Sequence, residues 1–263
     1  MDEFERICKS IREMRIQGAE NIAKAGLRGL SLRYNASAAK RLISLRPTEP
    51  ALRNAVRFAL KNSVREALEY FKKAEEKLVV AGLPLVREKV FTHCHSSSVM
   101  KILHAAKKQG KKFVVYNTET RPLYQGRITS REISKLGIRN VHAVDSAMSL
   151  LLERCDVVLI GADAITKKGV VNKIGSGLVG KTAKLLHVPL YVCAVGWKFT
   201  EKIEIERRDP KEVWLEHPEH VKVLNPSFEL VEKEDVKAVV SEFGVLEFGK
   251  FVKRAKKEYP WVR

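Results

Sequence analysis

No apolar run in this chain approaches the roughly 20 residues needed to cross a bilayer, so no membrane partner is expected. Cysteine is scarce and scattered: Cys8, Cys94, Cys155 and Cys193 form no C-x-x-C pair. That speaks against a disulfide framework or a zinc knuckle and for free thiols in a reducing cytoplasm. The first residues, Met1-Asp2-Glu3-Phe4-Glu5-Arg6, are acidic and lack the apolar stretch of a secretory signal, so a cytoplasmic location is expected. One glycine signature is also missing: no G-x-G-x-x-G follows the first predicted strand, so a dinucleotide cofactor is not expected. The order G-x-x-x-x-G-K-[ST] occurs over Gly175–Thr182, but residues 178–186 read as a helix, so its Gly-Lys-Thr falls inside that helix rather than opening it, and a P-loop is not expected. Aromatic residues make up 7% and do not interleave with the basic ones, so the formal net charge of +18 does not read as a dedicated nucleic-acid surface. Pairs such as Lys72-Lys73, Lys111-Lys112 and Arg207-Arg208 are spread along the chain, as on a solvated surface.

What is present fits a globular protein of one or two domains: 263 residues, 45% apolar and 30% charged. Residues 1–84 read as a helical domain. Phe4, Ile7, Cys8 and Ile11, and later Val56, Phe58, Ala59, Val64, Leu68 and Phe71, recur at helical spacing. Thr48-Glu49-Pro50 reads as a helix start and Gly82-Leu83-Pro84 as a boundary. From residue 85 the pattern alternates. Short apolar runs at Val90-Phe91, 113–116, 141–144, 157–160 and 190–193 are separated by helical stretches. This predicts βαβ units and a parallel, Rossmann-like sheet, an α/β fold over residues 85–263. In the tail, residues 236–243 and 248–257 are read as helices and Asn225-Pro226-Ser227-Phe228 as a turn.

Each predicted strand ends in polar or small residues that packing alone would not select. They are Thr92-His93-Cys94-His95-Ser96-Ser97, then Glu119-Thr120-Arg121-Pro122 with Gln125-Gly126, then Asp145-Ser146, Gly161-Ala162-Asp163 and Gly196-Trp197-Lys198. A stretch read as a loop adds Asn172-Lys173-Ile174-Gly175-Ser176-Gly177. In a parallel sheet these clusters meet on one rim, where ligands bind.

Cys94 precedes a helix start, where backbone N–H groups and the dipole suit a phosphate and lower a thiol's pKa; a plainly buried cysteine is the alternative. Three consecutive side chains on an extended backbone cannot all reach one ion, which argues against metal bound by His93, Cys94 and His95. Asp163, flanked by small residues, suits acid–base work if shielded from water. Asp145 reads equally as a helix cap or a ligand contact. Asn172 and Lys173 are suited to phosphate, and Arg46, Arg121 and Lys198 are further candidate contacts.

Taken together, these motifs resemble the translation initiation factor 2B alpha/beta/delta family. That family also contains ribose-1,5-bisphosphate isomerase and methylthioribose-1-phosphate isomerase. The resemblance rests on residues 92–97, 119–122 with Gln125-Gly126, 145–147, Gly161-Ala162-Asp163-Ala164-Ile165, 172–175, Lys198-Phe199 and 225–228. It implies a helical N-terminal domain, a Rossmann-like C-terminal domain and a homodimer or higher oligomer built through the latter. It also implies that the isomerases' Cys and Asp fall on Cys94 and Asp163, and that regulatory subunits generally lack that cysteine. One departure stands out. The isomerases' Arg-Gly-Ala, whose Arg helps hold phosphate, reads here Gln17-Gly18-Ala19. Arg46-Pro47-Thr48 matches the next phosphate-binding stretch, and Arg15 is the nearest substitute for the missing guanidinium.

Two functions follow from the resemblance. The first is a regulatory-subunit-like protein that senses a phosphorylated sugar or nucleotide, with initiation factor 2 subunits as candidate partners. The alternative is a sugar-phosphate aldose–ketose isomerase. Asp163 would serve the ring oxygen and Cys94, as thiolate, the carbon-bound proton. Gly18, Ala19, Arg46, Ser96, Ser97, Arg121, Gln125, Asn172, Lys173 and Lys198 would bind the phosphorylated ligand. Neither function requires a metal or an organic cofactor.

Overall fold

The computed structural model describes residues 1–206 and 208–262; Arg207, half of the basic pair noted above, and Arg263 lie outside the described residues. The chain opens with five helices: α1 (Glu3–Arg12), α2 (Ala19–Leu32), α3 (Ala36–Ser44), α4 (Pro50–Lys61) and α5 (Val64–Gly82). Their starts are written in the sequence. Asp2, Asn35 and Ser63 accept the backbone N–H three residues on, and Pro50 occupies the first turn of α4, where no N–H is needed. Each presents one buried stripe, such as Phe4, Cys8 and Ile11 on α1.

The α/β part follows: β1 (Lys89–Thr92), α6 (Ser97–Lys108), β2 (Val114–Thr118), α7 (Gln125–Lys135), β3 (Arg139–Ala143), α8 (Met148–Leu152) and β4 (Val157–Ile160). Then come β5 (Ala164–Ile165), β6 (Gly169–Lys173), α9 (Ser176–Leu185), β7 (Leu190–Cys193), β8 (Phe228–Glu232), β9 (Ala238–Ser241), β10 (Gly244–Leu246) and α10 (Phe248–Glu258). The main sheet has the order β10-β9-β7-β4-β1-β2-β3. All its neighbours pair in parallel except β10, which is antiparallel to β9. This is the Rossmann-like sheet expected. β1 grows outward through β2 to β3, and β4 then returns to the other side of β1. The strand order reverses there, leaving a crevice at the carboxyl ends of β1 and β4. Helix α5 packs on α6 and β9, and the buried side chains of helices and sheet form one continuous cluster.

Three readings are corrected. Residues 236–243 are not helical: Ala238–Ser241 is β9, buried throughout beside β7. A short run of β-branched residues buried on both faces mimics helical spacing. Asn172 and Lys173 lie not in a loop but at the end of β6, and Phe228, read as part of a turn, begins β8. Strands β5, β6 and β8 form a separate antiparallel sheet in which Gly169 pairs with Glu232, a partner too distant in the chain to be visible in local patterning.

Candidate active site

At the β1–β4 crevice two adjoining cavities open, about 70 and 40 Å³ in volume. Both are lined by Gly18, Cys94, His95 and Asp163. The first adds Gln17, Arg46, Glu49, Gln125, Lys173 and Phe228; the second adds Ala19, Ser96, Ser97, Asn172 and Lys198. The walls therefore come from the helical region as well as from the sheet rim. Every predicted site residue lines one of the two except Arg121. That guanidinium instead donates to the Tyr124 hydroxyl (2.6 Å) and the Val213 carbonyl (2.7 Å).

Cys94 follows β1 with φ +66°, a left-handed conformation unusual for a residue with a side chain. Two hydroxyls hold it: Cys94 N donates to Thr120 Oγ1 (3.1 Å), and Thr129 Oγ1 donates to the Cys94 carbonyl (2.8 Å). The twist breaks the alternation expected of an extended backbone. His93 is buried, with Nε2 on the Ile174 carbonyl (2.8 Å) and Nδ1 on Thr118 Oγ1 (3.0 Å), and touches only the second cavity, while Cys94 and His95 line both. The His93 Nε2–H donates to that carbonyl, and burial lowers the pKa of the ring. His95 is tied by Nδ1 to Thr129 Oγ1 (2.9 Å).

Two glycines make this packing possible. Gly175, at φ +97°, sits where a Cβ would meet the His93 ring at 2.7 Å. A Cβ at Gly161 would meet Ser96 Oγ at 2.6 Å. The space left by Gly161 is thus filled partly by Ser96, which caps α6 by accepting from Val99 N (3.4 Å).

The thiol is not the low-pKa group its helix start suggested. Burial, followed by the charge of Asp163, pushes Cys94 up to about 12, so it rests as S–H. Burial also raises Asp163, against the pull of Lys198, Arg46 and Lys173. Lys198 is itself buried and donates to the Ala162 carbonyl (2.6 Å). Asn172 Nδ2 donates to Ser176 Oγ (2.8 Å), and Lys173 Nζ lies 5.9 Å from the Phe228 ring centre. Asp145 does neither of the things foreseen. It accepts from the backbone N–H groups of Thr120 (2.8 Å) and Arg121 (2.7 Å), fixing the loop after β2.

Arg46 is 4% exposed. Its Nε faces both oxygens of Glu206 (3.0 and 3.1 Å), its Nη2 faces Glu49 (3.3 Å), and its Nη1 has no partner. Seven buried polar side-chain atoms lack a partner among the described residues, and three of them (Arg46 Nη1, Glu49 Oε2 and Gln125 Oε1) belong to this one cavity wall. Buried polar atoms are normally satisfied, by protein, water or ligand, so such a cluster makes this wall a candidate binding place. Arg15 does not take the place of the missing guanidinium: it pairs at the surface with Glu13 (2.9 Å), and Gln17 lines the cavity instead. Sequence reasoning missed Glu49 and Glu206. Glu49 was within reach, as an acid directly after Arg46-Pro47-Thr48; Glu206 is brought in from 160 residues away and leaves no local signal.

Residues 14–248 match the sequence profile of the initiation factor 2 subunit family. The chain belongs to that family. Among family relatives, a ribose 1,5-bisphosphate isomerase of Thermococcus kodakarensis is 32% identical, over 97% of this chain and 94% of the relative. A putative translation initiation factor eIF-2B subunit 2-like protein of Pyrococcus furiosus is 30% identical, over 92% and 96%. In structure, the Pyrococcus horikoshii OT3 translation initiation factor eIF-2B superposes with a TM-score of 0.84 at 28% identity, covering 94% of this chain and 98% of that one. The family thus includes proteins named for catalysis and proteins named for translation, and both kinds align along almost the whole chain.

Proposed function

We propose that this protein is a sugar-phosphate aldose–ketose isomerase of the ribose 1,5-bisphosphate type. The observation that carries this reading is the pair of adjoining cavities that gather a thiol, a buried carboxyl whose pKa is raised, and three cations, Arg46, Lys173 and Lys198. The similarity to the Thermococcus kodakarensis isomerase supports it. The isomerase is thus preferred to the regulatory function placed first on sequence grounds.

A phosphate on C1 prevents spontaneous ring opening, so the conversion needs four proton movements. The ring oxygen and C1 each gain a proton; C2 and its hydroxyl each lose one. Two groups that start protonated suffice. The Asp163 carboxyl gives its proton to the ring oxygen as the C1–O bond breaks, and the carboxylate takes the proton from C2. The Cys94 thiol gives its proton to C1 and takes one back from the C2 hydroxyl as the carbonyl forms. Both groups end as they began, with no thiolate needed at rest. Arg46, Lys173, Lys198 and the serines at the start of α6 hold the phosphates. Cavities of about 70 and 40 Å³ are smaller than the ~300 Å³ typical of ligand sites, so their walls must part for the sugar to enter.

The test is incubation of the purified protein with ribose 1,5-bisphosphate and detection of the ketose. Turnover abolished by Cys94→Ser and by Asp163→Asn supports the isomerase. Tight binding with no ketose formed supports a sensing role instead, the reading favoured by Gln17 at the cavity wall in place of arginine.

A further inference from the structure

One buried acid of the cavity has no part in this proton scheme. Glu49 immediately precedes α4, is 2% exposed and does not cap its own helix. Oε1 accepts from Arg46 Nη2 (3.3 Å), whereas Oε2 is buried without a partner. The side chain lines the same cavity as Cys94, Asp163 and Gln125. The charged and titratable groups around it come from every neighbouring element. They are Arg46 from the same turn, Asp163 after β4, Lys198 after β7, Glu206 beyond it, Lys173 at the end of β6, and Cys94 and His95 after β1.

These groups include three cations and, counting Glu49, three side-chain carboxyls. As a carboxylate, Glu49 would leave one oxygen without a donor in a water-poor site. As a carboxylic acid it instead supplies an O–H that a ligand oxygen can accept. Burial raises Glu49 to about 8. A phosphate brought alongside adds negative charge and favours the protonated form further.

We propose that Glu49 is a ligand-binding residue that acts in its protonated form, donating from its carboxyl to a phosphate oxygen, so that binding of a phosphorylated sugar takes up a proton from solvent. The only bond formed is the Glu49 O–H, its proton drawn from solvent; nothing is transferred to the sugar phosphate, which accepts a hydrogen bond from that O–H. The proposal rests on the cavity being a sugar-phosphate site.

The experiment is calorimetric titration of the Cys94→Ser protein, inert in the proposed reaction, with ribose 1,5-bisphosphate. It is run from about pH 7.5 to about pH 9.5 in two buffers of different ionisation heat. The second ionisation of a phosphate, near pH ~6, is complete before this range. The expected result is an affinity that falls above about pH 8 by up to tenfold per pH unit, with uptake approaching one proton per ligand. Adding Glu49→Gln, a permanently neutral donor, should remove the Glu49 share of slope and uptake and keep the affinity at about pH 7.5 within about threefold.

Absence of proton uptake in the Cys94→Ser protein overturns the proposal whether or not the double variant folds. So does a slope left unchanged by Glu49→Gln, or a Glu49→Gln protein that folds but binds poorly at every pH. Failure of the sugar phosphate to bind at any pH overturns the sugar-phosphate reading together with this one. Binding without uptake overturns only the role of Glu49.

Discussion

Two hollows in this molecule differ both in size and in the state of their polar groups. The larger, about 730 Å³, lies between α5 and α10 and is lined by Tyr70, Glu242 and Tyr259, with Lys73 and Lys250 on its rim. Its carboxylate is fully engaged. Glu242 accepts from the Tyr70 hydroxyl (2.6 Å), the Tyr259 hydroxyl (2.7 Å) and the Gly196 N–H (2.9 and 3.0 Å to its two oxygens). The cavities at the β1–β4 crevice are a fraction of that size, yet three buried polar atoms there await partners. The first arrangement is saturated within the fold; the second leaves polar atoms without protein partners. Volume and polar satisfaction thus point to different hollows.

The comparison can be broken in order of expected effect. Asp163→Asn should lower ketose formation by at least ~100-fold while leaving thermal stability unchanged or raised, because it removes a buried acid from beside Glu49. A comparable fall in stability would mean that this cavity is structural too. Glu242→Ala should do the reverse, costing on the order of 3 kcal/mol in denaturant unfolding through the loss of three hydrogen bonds, with sugar-phosphate affinity intact.

A smaller, pH-dependent effect belongs to Glu49. Its folded pKa, about 8, lies above the ordinary carboxylate range, so between the two the folded chain binds more protons than the unfolded one. Its contribution to stability is full in acid and lost as pH rises toward about 8. Urea midpoints measured at intervals from about pH 5 to about pH 8 should therefore decline, and Glu49→Gln should flatten the decline. Lys73→Ala is the smallest perturbation. Lys73 pairs with Glu69 (2.8 Å) in full view of solvent on the rim of the large hollow, and neither the unfolding midpoint nor ligand affinity should move measurably.

The parallel sheet and its polar rim were legible because both depend on short-range patterning. The runs 157–160 and 190–193 match β4 and β7, and the residues that follow β1 and β4 do line one cavity. What could not be read depends on contacts between distant residues. β6 finds its partner β8 across a long excursion, and Glu206 reaches back to Arg46. The thiol was misjudged for a related reason. The helix start at Ser97 is visible in sequence, but the burial that outweighs its dipole and holds Cys94 near 12 is set by Asp163 and the other walls.

The reversal of strand order between β1 and β4 has a consequence for how such a protein changes over generations. The rim is supplied by loops that the buried strands beneath them do not constrain. Residues such as Gln17, Glu49 and Gln125 each enter from a different loop or helix start. Chemistry and scaffold can therefore drift apart: one altered loop can silence or redirect the cavity while the sheet is inherited intact. The family's spread of names, isomerases beside initiation factors, accords with that separability.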